Sequence, residues 1–135
     1  MAEAQLNTVW TNGCFDVLHV GHIEMLRFAK TKGSYLIVGI DSDSRVKSLK
    51  GNDRPFNNQQ DRKNFLEAIK YVDEVVIFNS EKELEDTVMN MNVDAIVVGE
   101  EYKGRNVVGS IHADVIFFPR VGNHSTSRIL KSVDI

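Results

Sequence analysis

The stretch Thr11-Asn12-Gly13-Cys14-Phe15-Asp16-Val17-Leu18-His19-Val20-Gly21-His22 decides how this chain is read. It follows a short β-leaning run, Asn7 to Thr11. It enters a segment, Val20 to Lys32, whose apolar residues Ile23, Leu26, Phe28 and Ala29 recur at helical spacing. Gly33 follows as a stop signal. The stretch is therefore a strand-to-helix turn. Gly13 permits a tight turn or a close backbone approach. Gly21 lies between two histidines at the helix start, where unpaired N–H groups and a partial positive charge favour a phosphate. Imidazole donors from His19 and His22 can reach one phosphate group, and Gly21 removes the side chain that would obstruct it.

The pattern outward from this turn alternates strand and helix. Tyr35 to Ile40 is an almost unbroken apolar strand, and Ser44 to Leu49 suits a short helix. Asn52 to Asn57 holds Asp53, Arg54 and Pro55 and reads as a loop. Gln59 to Lys70 reads as a helix with Phe65, Leu66 and Ile69 on one face. Glu74 to Phe78, Asp94 to Val98 and Asp114 to Phe118 are further strands. Glu81 to Met91 and Ser125 to Val133 are further helices, and 99–109 is a polar, glycine-rich loop. Strands apolar on both faces, alternating with helices, predict an α/β fold. Its form is a Rossmann-like, doubly wound, parallel five-stranded sheet in a single domain spanning residues 1–135. Ligands of such sheets gather beyond the carboxyl ends of the strands. Asn12 to His22, Asp41 to Asp43 and Gly99 to Arg105 fall at those ends.

Bulk properties narrow the function. With 16 Lys and Arg against 19 Asp and Glu, the net charge is −3, which argues against a nucleic-acid binder. No apolar run approaches the length of a membrane span. The N-terminus lacks the pattern of a secretory signal, and the single cysteine, Cys14, suits a reducing cytoplasm. A cytoplasmic protein without nucleic-acid or membrane partners is the expectation. A zinc site at His19 and His22 would need further ligands, and the remaining histidines, His112 and His124, are far away in sequence. Trp10 ends an apolar strand and reads as core. Asp43 reads as an Asx-turn or helix cap. Glu100 and Glu101 are loop acids, read either as ligand contacts or as solvated charges. Arg45, Lys47 and Lys131 read as surface charges.

Gly13-Cys14-Phe15-Asp16-Val17-Leu18-His19-Val20-Gly21-His22 resembles the signature of the HIGH-type nucleotidyltransferase superfamily, in its cytidylyltransferase-like branch. The resemblance extends over about residues 7–133. Asp61-Arg62-Lys63 with Leu66 to Val75, the segment Gly99 to Gly104, and Arg120 with Ser125-Thr126 look like glycerol-3-phosphate cytidylyltransferases. Thr11 to Asp16, Leu49-Lys50-Gly51 with Arg54-Pro55 and Asn57, and Val108-Gly109 look more like the adenylyltransferase domain that activates heptose 1-phosphate. Val98 stands where the heptose enzymes usually carry a lysine. Gly122-Asn123-His124 stands where the cytidylyltransferases usually carry a Glu-Gly pair.

The resemblance implies nucleotidyl transfer from a nucleoside triphosphate to a phosphorylated small molecule, with release of pyrophosphate and with Mg²⁺ as cofactor. Its catalytic residues would be His19, His22, Lys50 and Arg62. Thr11, Asn12, Gly13, Cys14, Phe15, Gly21, Gly99, Glu101, Arg120, Ser125 and Thr126 would bind nucleotide. Asp41 and Arg54 would meet the acceptor. Asp16 would hold Mg²⁺ or order the loop, and the segment Lys50 to Asn57 would close over the site. A homodimer is implied as well. Ser125 at a helix start also suits an N-cap. The Arg120 to Thr126 segment favours CTP and glycerol 3-phosphate, with ATP and heptose 1-phosphate as the alternative. From another class, a nucleotide-binding sensor without turnover would be free to lose the histidines that this chain keeps.

Overall fold

The computed structural model describes residues 7–119. Five strands form one sheet: β1 (Thr8–Gly13), β2 (Tyr35–Asp41), β3 (Glu74–Phe78), β4 (Ala95–Gly99) and β5 (Asp114–Phe118). All pairings are parallel, and the spatial order is β3-β2-β1-β4-β5. Helices α1 (Val20–Lys30), α2 (Asp43–Lys50), α3 (Gln59–Glu67) and α4 (Glu81–Asn90) connect them. The predicted Rossmann-like α/β architecture is what the chain adopts. The expected helix from Ser125 to Val133 lies outside the described residues. Among the described residues no helix is long and apolar enough to cross a membrane.

Strand alternation explains the two layers of core. Val9, Leu36, Val38, Ile40 and Val97 face Leu26 and Ala29 of α1 and Leu66 of α3. Trp10, Ile37 and Ile96 point to the opposite face, where Leu84 and Val88 of α4 cover them. Successive side chains of a strand point to opposite faces, so a strand buried on both sides reads as a continuous apolar run. Trp10 is fully buried, as its position at the end of an apolar run suggested. Its indole lies across the neighbouring strand at Gly39. A Cβ at Gly39 would overlap that ring, with Cη2 only 2.7 Å away, and would press on Phe78 at 3.2 Å.

Each inner helix starts on a side-chain cap. Ser42 accepts from the Arg45 amide, Asn58 from that of Asp61, and Ser80 from that of Glu83. The cap of α2 is thus Ser42 rather than Asp43. Helix α3 ends at Glu67, short of the expected Lys70. Its buried face carries Arg62 and Leu66, one turn apart, while Phe65 is 48% exposed. Periodicity placed Phe65 inward because it weighs apolar character. The face is set instead by a buried guanidinium.

The chain runs from β1 outward to β2 and β3, then crosses back to β4 on the other side of β1. The strand order reverses at β1, and the crevice at the carboxyl ends of β1 and β4 is where ligands bind in this architecture. The turn that carries His19 and His22 leaves β1 at that point.

Gly39→Ala should lower stability by about 1–3 kcal/mol, because a close-packed interior cannot move the indole aside. A thermal melt should show a midpoint several degrees below that of the parent chain. An unchanged midpoint would contradict the packing described.

Candidate nucleotide site

His19 is the N-cap of α1, and its ring does the capping. Its Nδ1 accepts from the Gly21 amide at 3.0 Å. The Nδ1 of His22 accepts in return from the His19 amide at 3.2 Å. The two imidazoles stack with centroids 3.8 Å apart. An imidazole nitrogen that accepts carries no proton, so each ring bears its proton on Nε2. The backbone thereby fixes two neutral Nε2–H donors in parallel. Burial, with the nearby His19 and Lys50, pushes the His22 imidazole down to about 3. His22 therefore stays neutral at physiological pH. The Gly21 amide is not an open phosphate donor, because the His19 ring already takes it.

Lys50 ends α2, and Gly51 follows at φ 110°, a conformation that glycine adopts without penalty. The Lys50 ammonium bears on both Cys14 and His22, so the expected lysine does stand near the histidine turn. Burial pushes the Cys14 thiol up, against the pull of Lys50 and Arg62. A thiol so held is a poor nucleophile.

Several side chains expected to touch ligand instead build the site's frame. Arg62 is fully buried. Its Nε donates to the Asn57 carbonyl at 2.9 Å. Its Nη1 donates to the carbonyls of Cys14 at 2.9 Å and Asp41 at 2.7 Å, and its Nη2 to Asp43 Oδ1 at 2.8 Å. A direct phosphate contact by Arg62 does not fit this geometry. The guanidinium ties the ends of β1 and β2 to the segment before α3.

Asp16 is likewise enclosed. Its carboxylate accepts from Arg54 Nε at 3.0 Å and the Phe56 amide at 2.7 Å through Oδ2, and from the Asn57 amide at 2.7 Å through Oδ1. A carboxylate with no exposed side-chain surface and three N–H donors is not disposed to bind Mg²⁺. Of the two roles expected for Asp16, the ordering of the loop is the one it performs. Among the described residues no group of three or more His, Cys, Asp or Glu side chains could hold a metal.

Thr11 donates its hydroxyl to the Val97 carbonyl at 2.9 Å and is buried, so it joins β1 to β4 rather than meeting a triphosphate. Asn12 accepts from the Trp10 indole N–H at 2.9 Å. The Phe15 ring is buried against Gly13 and lies 5.1 Å from the His22 ring, which removes it as a base-stacking surface. Asp41 Oδ1 pairs with Arg45 Nε at 2.8 Å, so Arg45 is more than a solvated surface charge. Glu101 folds back over Gly99, where its carboxyl carbon lies 2.7 Å from the place a Cβ would take. Arg54 leans on Asp16, and its Nη2 is buried without a hydrogen-bond partner among the described residues. Arg120, Ser125 and Thr126 lie outside the described residues.

Asn57 was missed as a functional position, and Asp43 was read as a cap. Their bonds run to residues that are distant in sequence, and the signals were Asn57's place in the heptose-type segment and Asp43's place at a strand end. Around the turn, Phe15 has φ 51°. A non-glycine residue there is strained by about 1–2 kcal/mol and persists only where its surroundings impose it.

The family model described as cytidylyltransferase-like matches residues 10–131. The bifunctional protein HldE of Campylobacter fetus subsp. fetus is 44% identical over 126 residues, covering 93% of this chain and 27% of that protein. The HldE of a Nitratiruptor species is 46% identical over 124 residues, covering 91% of this chain and 27% of that protein. The chain thus spans about a quarter of the length of these relatives. Among solved structures, the lipopolysaccharide core biosynthesis protein of Thermoplasma volcanium shares the fold. It has a TM-score of 0.69 at 24% identity, covering 88% of this chain and 99% of that one. The pantoate-beta-alanine ligase of Francisella tularensis also shares it, with a TM-score of 0.65 at 14% identity over 95% of this chain and 66% of that one. With its strand-to-helix histidine turn and a family match over nearly its whole length, the chain belongs to the cytidylyltransferase-like family of nucleotidyltransferases.

Proposed function

We propose that this chain transfers the adenylyl group of ATP to heptose 1-phosphate and releases pyrophosphate. The observation that carries the transferase part is the reciprocal capping of His19 and His22, which turns both Nδ1 atoms to the backbone and sets the two stacked imidazoles at the switch point of the sheet. The HldE relatives favour the heptose-type acceptor and ATP over CTP and glycerol 3-phosphate. So does the segment Leu49 to Asn57. It resembles the heptose-type enzymes and is the segment docked on Asp16. Of the features that leaned toward a cytidylyltransferase, Arg62 acts inside the frame.

In this reading the acceptor's phosphate oxygen attacks the α-phosphorus in line, the α-phosphorus to bridging-oxygen bond breaks, and pyrophosphate leaves. The acceptor phosphate is the nucleophile, so no thiolate or hydroxyl of the protein is required. The triphosphate would bring Mg²⁺ with it as part of the substrate. The protein's share is positioning and charge stabilisation. His19 and His22 donate from Nε2 to phosphate oxygens, and Lys50 supplies a mobile positive charge.

Pyrophosphate release with each of the four nucleoside triphosphates, crossed against heptose 1-phosphate and glycerol 3-phosphate, tests the assignment. Release with ATP and the heptose phosphate is expected. Release only with CTP and glycerol 3-phosphate would overturn the acceptor and the base. Nucleotide binding without any release would instead fit the sensor.

His22→Ala should lower kcat by roughly 10²-fold or more, as for other lost transition-state donors, while nucleotide still binds. Wild-type turnover in that variant would remove His22 from the mechanism.

Because the folded chain holds His22 near 3, below its ordinary 6.5, protonation favours the unfolded chain. His22's contribution to stability is full above about pH 6.5 and declines as the pH falls toward 3. The kcat profile should therefore show no His22 limb between about pH 5 and 8. A limb in that window that disappears in His22→Ala would contradict the assignment.

A further inference from the structure

Phe15 holds a left-handed backbone at φ 51° without being glycine, so something outside the turn must hold it there. The two carbonyls that flank Phe15 are anchored by α3 and by the segment leading into it. The Cys14 carbonyl accepts from Arg62 Nη1 at 2.9 Å. The Asp16 carbonyl accepts from Asn57 Nδ2 at 2.6 Å. Asn57 also donates its amide to Asp16 Oδ1 at 2.7 Å and accepts from Arg62 Nε at 2.9 Å. It therefore bonds to both anchors of the strained residue at once. The Phe15 ring lies 5.1 Å from that of His22, and Asp16 is three residues before the capping imidazole of His19. A relaxation of Phe15 would consequently move both donors.

We propose that Asn57 is a positioning residue whose side-chain amide keeps Phe15 left-handed and thereby sets His19 and His22 for transfer. The kinetic part rests on the transferase reading above; the conformational part does not. Asn57 does not itself bind substrate in this proposal. It acts through the Asp16 carbonyl.

Two variants isolate the amide: Asn57→Ala, and Asn57→Asp, which is nearly isosteric but lacks the donor. The main-chain bonds of Asn57 to Asp16 and from Arg62 survive both changes, so the sheet should remain intact. Amide hydrogen exchange in the whole chain without ligand should speed up by about tenfold or more over Asp16 to His22, with the strand amides unchanged. With ATP and acceptor, kcat should fall about tenfold or more, while KM for ATP changes less than about threefold, as misplacement of reacting groups predicts. Parent-like exchange in the turn overturns the proposal whatever the kinetics do. Parent-like kcat with loosened exchange overturns the positioning role, and loss of the folded sheet in both variants overturns the claim that the amide acts locally. If the parent chain turns over no nucleotide, the transferase reading fails, and the exchange measurement still decides whether Asn57 holds the turn.

Discussion

A guanidinium taken wholly out of water must be surrounded by acceptors, and Arg62 organises the site by that requirement. Its four donated bonds converge on the ends of β1 and β2, the residue before the cap of α3, and the first residue of α2. Removing any of these acceptors would leave a buried donor unmatched. The positions of the histidine turn, the Asp41 strand end and the 51–58 segment are therefore not independent. Asp16 mirrors the arrangement with the opposite charge: a buried carboxylate enclosed by N–H donors from the same segment. The two ions give the ligand side of the sheet its rigidity, and the packed layers beneath give it a floor.

The part of the segment from Arg54 to Asn57 is consequently fastened to the histidine turn. The sequence had suggested a lid from Lys50 to Asn57. The structure divides that stretch. Arg54, Phe56 and Asn57 are bonded to the histidine turn, whereas Lys50 sits on the far side of the left-handed Gly51 with an exposed side chain.

Most of the architecture was legible because it rests on periodicity. The continuous apolar runs of β2 and β4 mark strands buried on both faces, and the spacing of Leu26 and Ala29 marks the inner side of α1. The strand-to-helix turn was legible because Gly13, His19, Gly21 and His22 lie within ten consecutive residues. What escaped reading were polar groups whose partners are remote in sequence. Arg62 was assigned a catalytic contact through the family resemblance, and nothing local reveals that four acceptors from other elements surround it. Thr11 and Phe15 looked like nucleotide contacts for the same reason: their inward orientation follows from sheet register and from the Phe15 backbone. The tautomers of the histidines were also hidden, since they follow from cap geometry rather than residue type.

The central claim is that the backbone of the α1 cap fixes both imidazoles as neutral Nε2–H donors. Long-range ¹H–¹⁵N correlation spectra of the histidine side chains at neutral pH read this directly, because protonated and unprotonated ring nitrogens resonate far apart. The account predicts that His19 and His22 each show an unprotonated Nδ1 and a protonated Nε2, both with and without bound nucleotide. An imidazolium at His22, or a proton on Nδ1 of either ring, would contradict it.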